Sequence, residues 1–373
     1  MSAPWTGRVG AALALLLIGL SFAFPSGEVA LAKAPPLLLP MARLTAQFLL
    51  ALSALVSLRS QKSASGLVTL VCSTFCAGLL IGWLAENVTP IGQKPGDWAL
   101  LAAQFILAAL SVQAYSQNDG RFDGFASAAL FGFWTLYFWQ ILATACSVPK
   151  VLLPTPSLIV QALAGGYPLL ARDFVQTVLK SVLAGWLLGC GAGFLVGIAI
   201  DRAPFLQRGL LPLAALTSAV PLVGVAPIAV MWFGFDWPSK AAVVVLMTFF
   251  PMLVATLAGL KAAGRQEREL MHSYAASYFQ TLISLRLPSA TPYLFSALKI
   301  NAALALIGAI VAEFFGSPTV GLGFRISTEA AHMNMALVWA AIVVAAATGS
   351  LTYVALAQLE HRMAFWHPSV RQP

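Results

Sequence analysis

The stretch ELMHSYAASYFQTLISLRLPSATP, residues 269–292, lies between two long apolar runs and carries the clearest signal of the fold. Its apolar side chains recur at steps of three, four and four, which places them on one face of a helix: Met271, Tyr274, Tyr278 and Leu282. The residue before a proline disfavours helical backbone, and a proline suits the first turn of a helix, so Leu287-Pro288 indicates a break. We therefore predict a half-polar helix over residues 269–282, a corner, and a second helix that leads into the next apolar run.

The composition places the chain in a membrane. Of the 373 residues, 60% are hydrophobic and 9% are charged, whereas about 25% of a soluble domain is charged. A helix needs about 20 consecutive, mainly apolar residues to cross a bilayer. We predict an all-α polytopic membrane protein with about ten transmembrane helices, at residues 9–25, 38–57, 66–85, 98–115, 125–146, 176–200, 210–233, 240–260, 294–315 and 336–357. The first run also fits a cleavable signal peptide, since it follows Arg8 and precedes Ala30-Leu31-Ala32; both interpretations remain open.

The distribution of Lys and Arg predicts the orientation. With the N-terminus inside, 13 basic residues fall in cytoplasmic segments and 8 in outer segments, in agreement with the positive-inside rule. The opposite orientation places the dense cluster between Lys261 and Arg286 outside. We therefore predict cytoplasmic N- and C-termini and a cytoplasmic loop over residues 261–293. Because basic residues of membrane proteins collect in such loops, the net charge of +8 does not indicate a nucleic-acid partner.

The loop resembles the cytoplasmic signature loop of binding-protein-dependent ABC importer permeases, whose pattern is Glu-Ala-Ala, three residues, Gly and a later Leu-Pro. Counted back from Leu287-Pro288, Glu269 stands at the glutamate and Ala275 at the glycine, while Leu270 and Met271 replace the two alanines. Tyrosines and small residues fill the middle of the stretch, which suits a groove on a partner protein better than a lipid surface. The resemblance implies that the loop couples to an ATPase through Glu269, Tyr274, Ala275, Tyr278, Phe279, Leu287 and Pro288.

Further stretches resemble the nitrate, sulfonate, taurine and pyrimidine-precursor subfamily in the same order, over roughly residues 125 to 373. They are LLPTPSLIVQAL, PLVGVAPIAVMWFGF, LKINAALALIGAIVAEFFGSPTVGLGF and LEHRMAFWHPS. Residues 123–373 are therefore identified as a permease core, and residues 1–122 as an additional N-terminal transmembrane region of unknown role. The resemblance implies a bacterial inner-membrane importer subunit, paired as a homodimer or heterodimer, which receives its solute from a periplasmic binding protein. ALIGAIVAEFFG and FWHPS are most similar to permeases for thiamine-pyrimidine precursors or related heterocycles.

Two groups of residues are candidates for the transport path and for helix packing. Pro221, Gly224 and Pro227 interrupt a span and free carbonyl groups that must be buried in protein or face water, so this segment is either a candidate pore lining or a purely structural kink. Glu313 is an intramembrane carboxylate and a functional candidate by default; alternatively, it reaches the outer membrane interface or caps the turn between Gly316 and Gly323. A repeat of small residues allows close helix approach, either within one subunit or between two: Gly185, Gly189, Gly193 and Gly197.

Several functions lack their motifs in this sequence. No GxxxxGK(S/T) motif occurs, so we expect no cofactor on this chain and ATP with Mg on a partner ATPase. The four histidines and four cysteines show no metal-ligand spacing, and no hydrolase motif occurs, so the chain is not expected to be an enzyme. Asp201 and Arg202 directly follow a span and are interpreted as solvated loop charges. A secondary transporter, which would need midplane carboxylates, and a permease for sulfonate, taurine or nitrate anions are the alternatives.

Overall fold

The computed structural model describes residues 5–23, 38–59, 71–79, 81, 95–116, 123–203, 205, 209, 222–316 and 319–366. Every regular element among these residues is a helix. The chain forms two compact units, residues 1–158 and residues 159–373. Each unit has its own set of packed helices.

The described part of the first unit contains five helices: α1 (Trp5–Ala23), α2 (Leu38–Arg59), α3 (71–79), α4 (Pro95–Ser116) and α5 (Asp123–Ala145). Helix α1 packs against α2 and α4, and fully buried small and branched side chains form the core, among them Ala11, Ala14, Ala46, Leu50 and Leu107. Polar side chains also pair inside this core. The Gln47 amide donates to the Ser21 hydroxyl at 2.9 Å, and the hydroxyl groups of Ser53 and Ser73 lie 2.7 Å apart. Inside a membrane the hydrophobic effect does not drive helices together, because lipid is as apolar as their side chains, so such hydrogen bonds contribute to helix association.

The second unit contains the remaining helices. Helix α6 (Pro156–Gly165) begins at its edge, followed by α7 (Tyr167–Phe174), a π-helical segment (Val175–Val182), α8 (Leu183–Asp201), α9 (Leu222–Phe233) and α10 (Trp237–Lys261). After these come α11 (Arg265–Ser273), α12 (Tyr278–Thr281), a second π-helical segment (Leu282–Arg286), α13 (Leu287–Gly316), α14 (Leu322–Ala331) and α15 (Met335–Met363). Helix α10 is the centre of the unit, since it packs against both α8 and α13.

Within the described residues, six helical stretches are long and apolar enough to cross a membrane: Asp97–Ala114, Ala126–Ala145, Tyr167–Asp201, Trp237–Lys261, Tyr278–Gly316 and Met335–Met363. They coincide with six of the ten predicted spans. The described parts of three other predictions form shorter apolar helices, Val9–Ser21, Arg43–Val56 and Gly224–Phe233, and most of the predicted span 66–85 lies outside the described residues. The structure therefore supports a polytopic helical membrane protein, but the described residues do not support the count of ten.

The glycine repeat of α8 lies directly against α10. A Cβ atom at Gly185 would stand 2.5 Å from the Cβ of Val244, and one at Gly197 would stand 2.8 Å from the Cβ of Thr256. Side chains at Gly189 and Gly193 would collide with Thr248 and with the Phe249 carbonyl, whereas Gly191 faces open space. The repeat thus lets two helices of one chain approach closely. Asn301 of α13 adds an interhelical bond by donating to the Thr248 carbonyl at 3.0 Å.

Candidate functional site

The loop of residues 261–293 has a different course from the predicted one. Helix α11 ends at Ser273, and the chain turns through Ala275, which has a left-handed φ of 53°. Ser277 then caps α12 in a capping box with Gln280. The single helix predicted over residues 269–282 is therefore wrong, because the left-handed residue and the cap divide it. The positive φ also gives a physical reason for glycine at the Ala275 position of the family pattern.

The predicted corner at Leu287-Pro288 is also wrong. The chain is helical from Tyr278 to Gly316, and Pro288 lies in the first turn of α13 directly after the π-helical segment Leu282–Arg286. A proline inside an α-helix removes one hydrogen bond and collides with the carbonyl four residues earlier. The wider i→i+5 turn of a π-helix changes this spacing, so the helix continues through Pro288 without a corner.

A buried ion pair anchors the second half of the loop to the membrane helices. Both terminal nitrogens of Arg286 donate to the Asp201 carboxylate, at 2.7 and 2.8 Å, and its Nε donates to the Leu260 carbonyl at 3.0 Å. The two side chains are only 13% and 7% exposed. The interpretation of Asp201 as a solvated loop charge is therefore wrong, because its partner, 85 residues later, covers it.

The predicted coupling tyrosines and phenylalanine have different environments. The Tyr278 hydroxyl donates to Asp201 at 3.2 Å, its ring lies 5.2 Å from the Arg202 guanidinium carbon, and it packs with Leu260 and Leu282. The Leu287 side chain joins the same cluster, and Pro288 is half-buried. By contrast, large apolar side chains project from the loop, each at least 56% exposed: Leu270, Tyr274, Phe279 and Ile283. Glu269 is exposed and pairs with Arg265 at 2.7 Å.

The candidate pore residues differ in their environments. Pro221 lies outside the described residues. Gly224 and Pro227 lie on the exposed face of α9, together with Ile228 and Met231, while Ala226 and Ala229 form its buried face. Glu313 is only 2% exposed; its carboxylate accepts hydrogen bonds from the Thr177 hydroxyl and the Gly323 amide, both at 2.7 Å. In this geometry the Glu313 carboxylate binds the first turn of α14.

Among the described residues, no group of three or more His, Cys, Asp and Glu side chains could hold a metal ion. The chain offers instead an anchored loop with exposed apolar side chains at the end of two long membrane helices. These features define the class: a polytopic helical membrane protein with an anchored loop between two of its long helices.

Comparison with known proteins identifies the family. Residues 189–365 match the family described as binding-protein-dependent transport system inner membrane component. A probable ABC transporter permease of Haemophilus influenzae is 31% identical over 61% of this chain and 92% of its own length. The formylaminopyrimidine transport permease ThiX of Halalkalibacterium halodurans is 33% identical over 64% of this chain and 94% of its own length. For the riboflavin transport system permease RibX of Chloroflexus aurantiacus, identity is 32%, over 63% of this chain and 87% of the relative.

The chain belongs to the binding-protein-dependent ABC importer permeases, as the resemblance of the loop predicts. It is a multi-pass inner-membrane permease of that family. More distant relatives are named as permeases for aliphatic sulfonates, taurine and nitrate.

Proposed function

We propose that this permease imports a small aromatic heterocycle of the pyrimidine-precursor or riboflavin kind. A periplasmic binding protein delivers the solute to the outer face, and ATP-driven movement of the permease releases it into the cytoplasm. The observation that supports the importer mechanism most strongly is the loop of residues 261–293, which is anchored by a buried ion pair and presents exposed apolar side chains. The two relatives named for heterocycles support the substrate class. Permeases for sulfonate, taurine and nitrate anions support the alternative.

The exposed side chains of the loop are the proposed contact with the ATPase. Burial of Tyr274 and Phe279 in a groove of the partner would contribute about 1.5–3 kcal/mol each from apolar area. Glu269 would exchange its exposed bond with Arg265 for a basic group of the ATPase. ATP and Mg bind to that partner, and this chain carries no cofactor. Tyr278, Leu287 and Pro288 support the loop from within the permease, since the first two pack in its buried cluster.

The orientation and assembly are part of the proposal. Both termini and the loop lie in the cytoplasm, and two copies of the chain form a homodimer; a heterodimer with a related permease is the alternative. Residues 123–373 form the permease core, residues 1–122 are an addition to it, and the whole chain crosses the membrane about ten times.

Reporters that work only in the cytoplasm, fused after Gln266 or Ser327, test the orientation. The first fusion should be active and the second inactive, and the reverse pattern would invert the C-terminal half.

The substrate is tested by uptake into proteoliposomes that contain the permease, its ATPase and the binding protein encoded beside it. We expect uptake of labelled hydroxymethylpyrimidine or riboflavin that requires ATP and stops with orthovanadate. Unlabelled taurine or nitrate should not compete. Competition by these anions alone would favour the alternative substrate class, and uptake without ATP would point to a secondary transporter.

A further inference from the structure

The first turn of α14 is held by side chains from other helices. The amide of Gly321 donates to Asp173 at 2.9 Å, the amide of Leu322 to the Thr177 hydroxyl at 2.8 Å, and the amide of Gly323 to Glu313 at 2.7 Å. The first amide groups of a helix have no partner within that helix. Here three consecutive ones are bound by residues of α7, the π-helical segment and α13. We call Asp173, Thr177 and Glu313 the α14 clamp.

The clamp residues are also linked to each other and to Arg325, and a buried lysine, Lys240, fixes the neighbouring helix ends. The Thr177 hydroxyl donates to Glu313, so this one group joins the π-helical segment to both α13 and α14. Arg325 of α14 donates from Nε to Asp173 at 2.8 Å. The ammonium group of Lys240 donates to the carbonyls of Phe235, Asp236 and Gly316, and thereby ties the end of α13 to the start of α10. Asp173, Thr177, Lys240 and Glu313 are each at most 2% exposed.

Beyond its first turn, α14 packs against α15 and α13, but its side chains there are half-buried or exposed. Only Leu322 and Gly323 are buried, and both belong to its first turn. Before it stands Gly321, whose φ of 141° is accessible to few residues other than glycine. A Cβ at Gly323 would lie 2.9 Å from the Cβ of Glu313. Glycine at position 323 therefore allows α14 and Glu313 to approach closely. An element with few fully buried residues, fixed by polar groups at one end, can move without disrupting the core.

Helix α14 lies at the membrane face opposite the loop of residues 261–293. Helix α13 has 30 residues and spans about 45 Å at 1.5 Å per residue. Its first end adjoins the signature loop and its last end adjoins α14, so α14 lies at the opposite membrane face. Asp173, two residues before the π-helical segment, and Thr177, within it, both bind the start of α14, and π-helical segments occur frequently at functional sites.

We propose that α14 is a movable element at the outer mouth of the permease, and that Asp173, Thr177 and Glu313 are positioning residues that hold it in the resting state and release it during transport. This inference rests on the proposed importer function. Because a partly satisfied buried polar network is unfavourable, the clamp would either remain fully bonded or separate as a unit. Closure of the ATPase at one end of α13 can therefore change the state of α14 at the other end.

The test is hydrogen–deuterium exchange of residues 319–331 in the full transporter, with its ATPase, in lipid nanodiscs. In the nucleotide-free state the amides of Gly321 to Gly323 should be protected. In the state trapped with ATP and orthovanadate they should exchange at least about tenfold faster. Equal protection in both states would show a static brace and overturn the proposal. ATP hydrolysis by the same nanodiscs reports separately whether the chain works with an ATPase.

Variants of Thr177 test the positioning role without nucleotide. Thr177→Val removes the hydroxyl and should increase resting-state exchange at residues 321–323 about tenfold, whereas Thr177→Ser retains the hydroxyl and should resemble the wild type. The matched control is Thr256→Val, because the Thr256 hydroxyl donates only within its own helix, to the Met252 carbonyl. If Thr177→Val leaves exchange unchanged, or Thr177→Ser behaves like Thr177→Val, the clamp does not position α14.

Discussion

At the scale of single residues, Arg286 determines where the signature loop leaves the membrane helices. Its guanidinium binds Asp201 at the end of α8 and the Leu260 carbonyl near the end of α10. These contacts connect the loop with two spans of the core. A bidentate pair of this kind has a fixed geometry, so it holds the loop in a defined position against these two spans.

The Asp201–Arg286 pair should be important for stability, whereas the Arg265–Glu269 pair should not. Asp201→Asn leaves a buried guanidinium without a counter-charge and should lower the free energy of unfolding of the isolated subunit by about 3 kcal/mol. The matched control is Glu269→Gln in the same loop, whose ion pair is 62–89% exposed and should contribute less than about 0.5 kcal/mol. The measurement is SDS-induced unfolding followed by tryptophan fluorescence. Equal effects of the two variants would contradict the assignment of Asp201 and Arg286 as the anchor.

At the scale of helices, the contact between α8 and α10 depends on the absence of side chains on one face. Gly189 lies where a Cβ would meet Thr248 and the backbone of Val245, while Gly191, two residues later, faces open space. Close approach of the two backbones increases van der Waals contact, which replaces the hydrophobic effect inside a membrane.

This difference predicts opposite outcomes for two similar substitutions. Gly189→Val should force α8 away from α10 and destabilise the subunit by about 1–3 kcal/mol or more, visible as aggregation at a lower temperature in detergent. Gly191→Val adds the same side chain on the same helix at an open position and should leave the aggregation temperature nearly unchanged. A larger effect at Gly191 than at Gly189 would mean that the glycine repeat does not pack against α10.

The sequence predicts those helical features that depend on local pattern. Six predicted spans match long apolar helices, since length and hydrophobicity alone define them. The sequence predicts a break in the loop of residues 261–293 at Leu287-Pro288, but the break occurs at Ala275. The left-handed backbone at Ala275 could not be predicted because no glycine marks it, and Pro288 causes no break because it follows a π-helical turn. The Asp201–Arg286 pair and the clamp on α14 join residues up to 148 positions apart. Such pairings follow from tertiary contact and have no local signal.

At the scale of the whole molecule, the chain is longer than the part it shares with its relatives. The matches extend over 61–64% of this chain but 87–94% of the first three relatives. The structure also divides the chain into two compact units.

If residues 123–373 are the complete permease core, a subunit without residues 1–117 should insert in the membrane and still retain the ATPase on affinity purification. Normal insertion with loss of the ATPase would show that the N-terminal helices belong to the core.

The central claim is that the exposed side of residues 261–293 binds an ATPase, and co-purification with Ala275 variants tests it most directly. Ala275 is exposed and has a left-handed backbone, which Gly adopts freely and Asp tolerates better than most residues, so both variants should fold and insert. Ala275→Gly should retain the ATPase as the wild type does. Ala275→Asp would bury an unpaired charge in the interface, which is strongly unfavourable, and should lose the ATPase and all ATP-dependent uptake. Full retention of the ATPase and of uptake by Ala275→Asp would contradict the account.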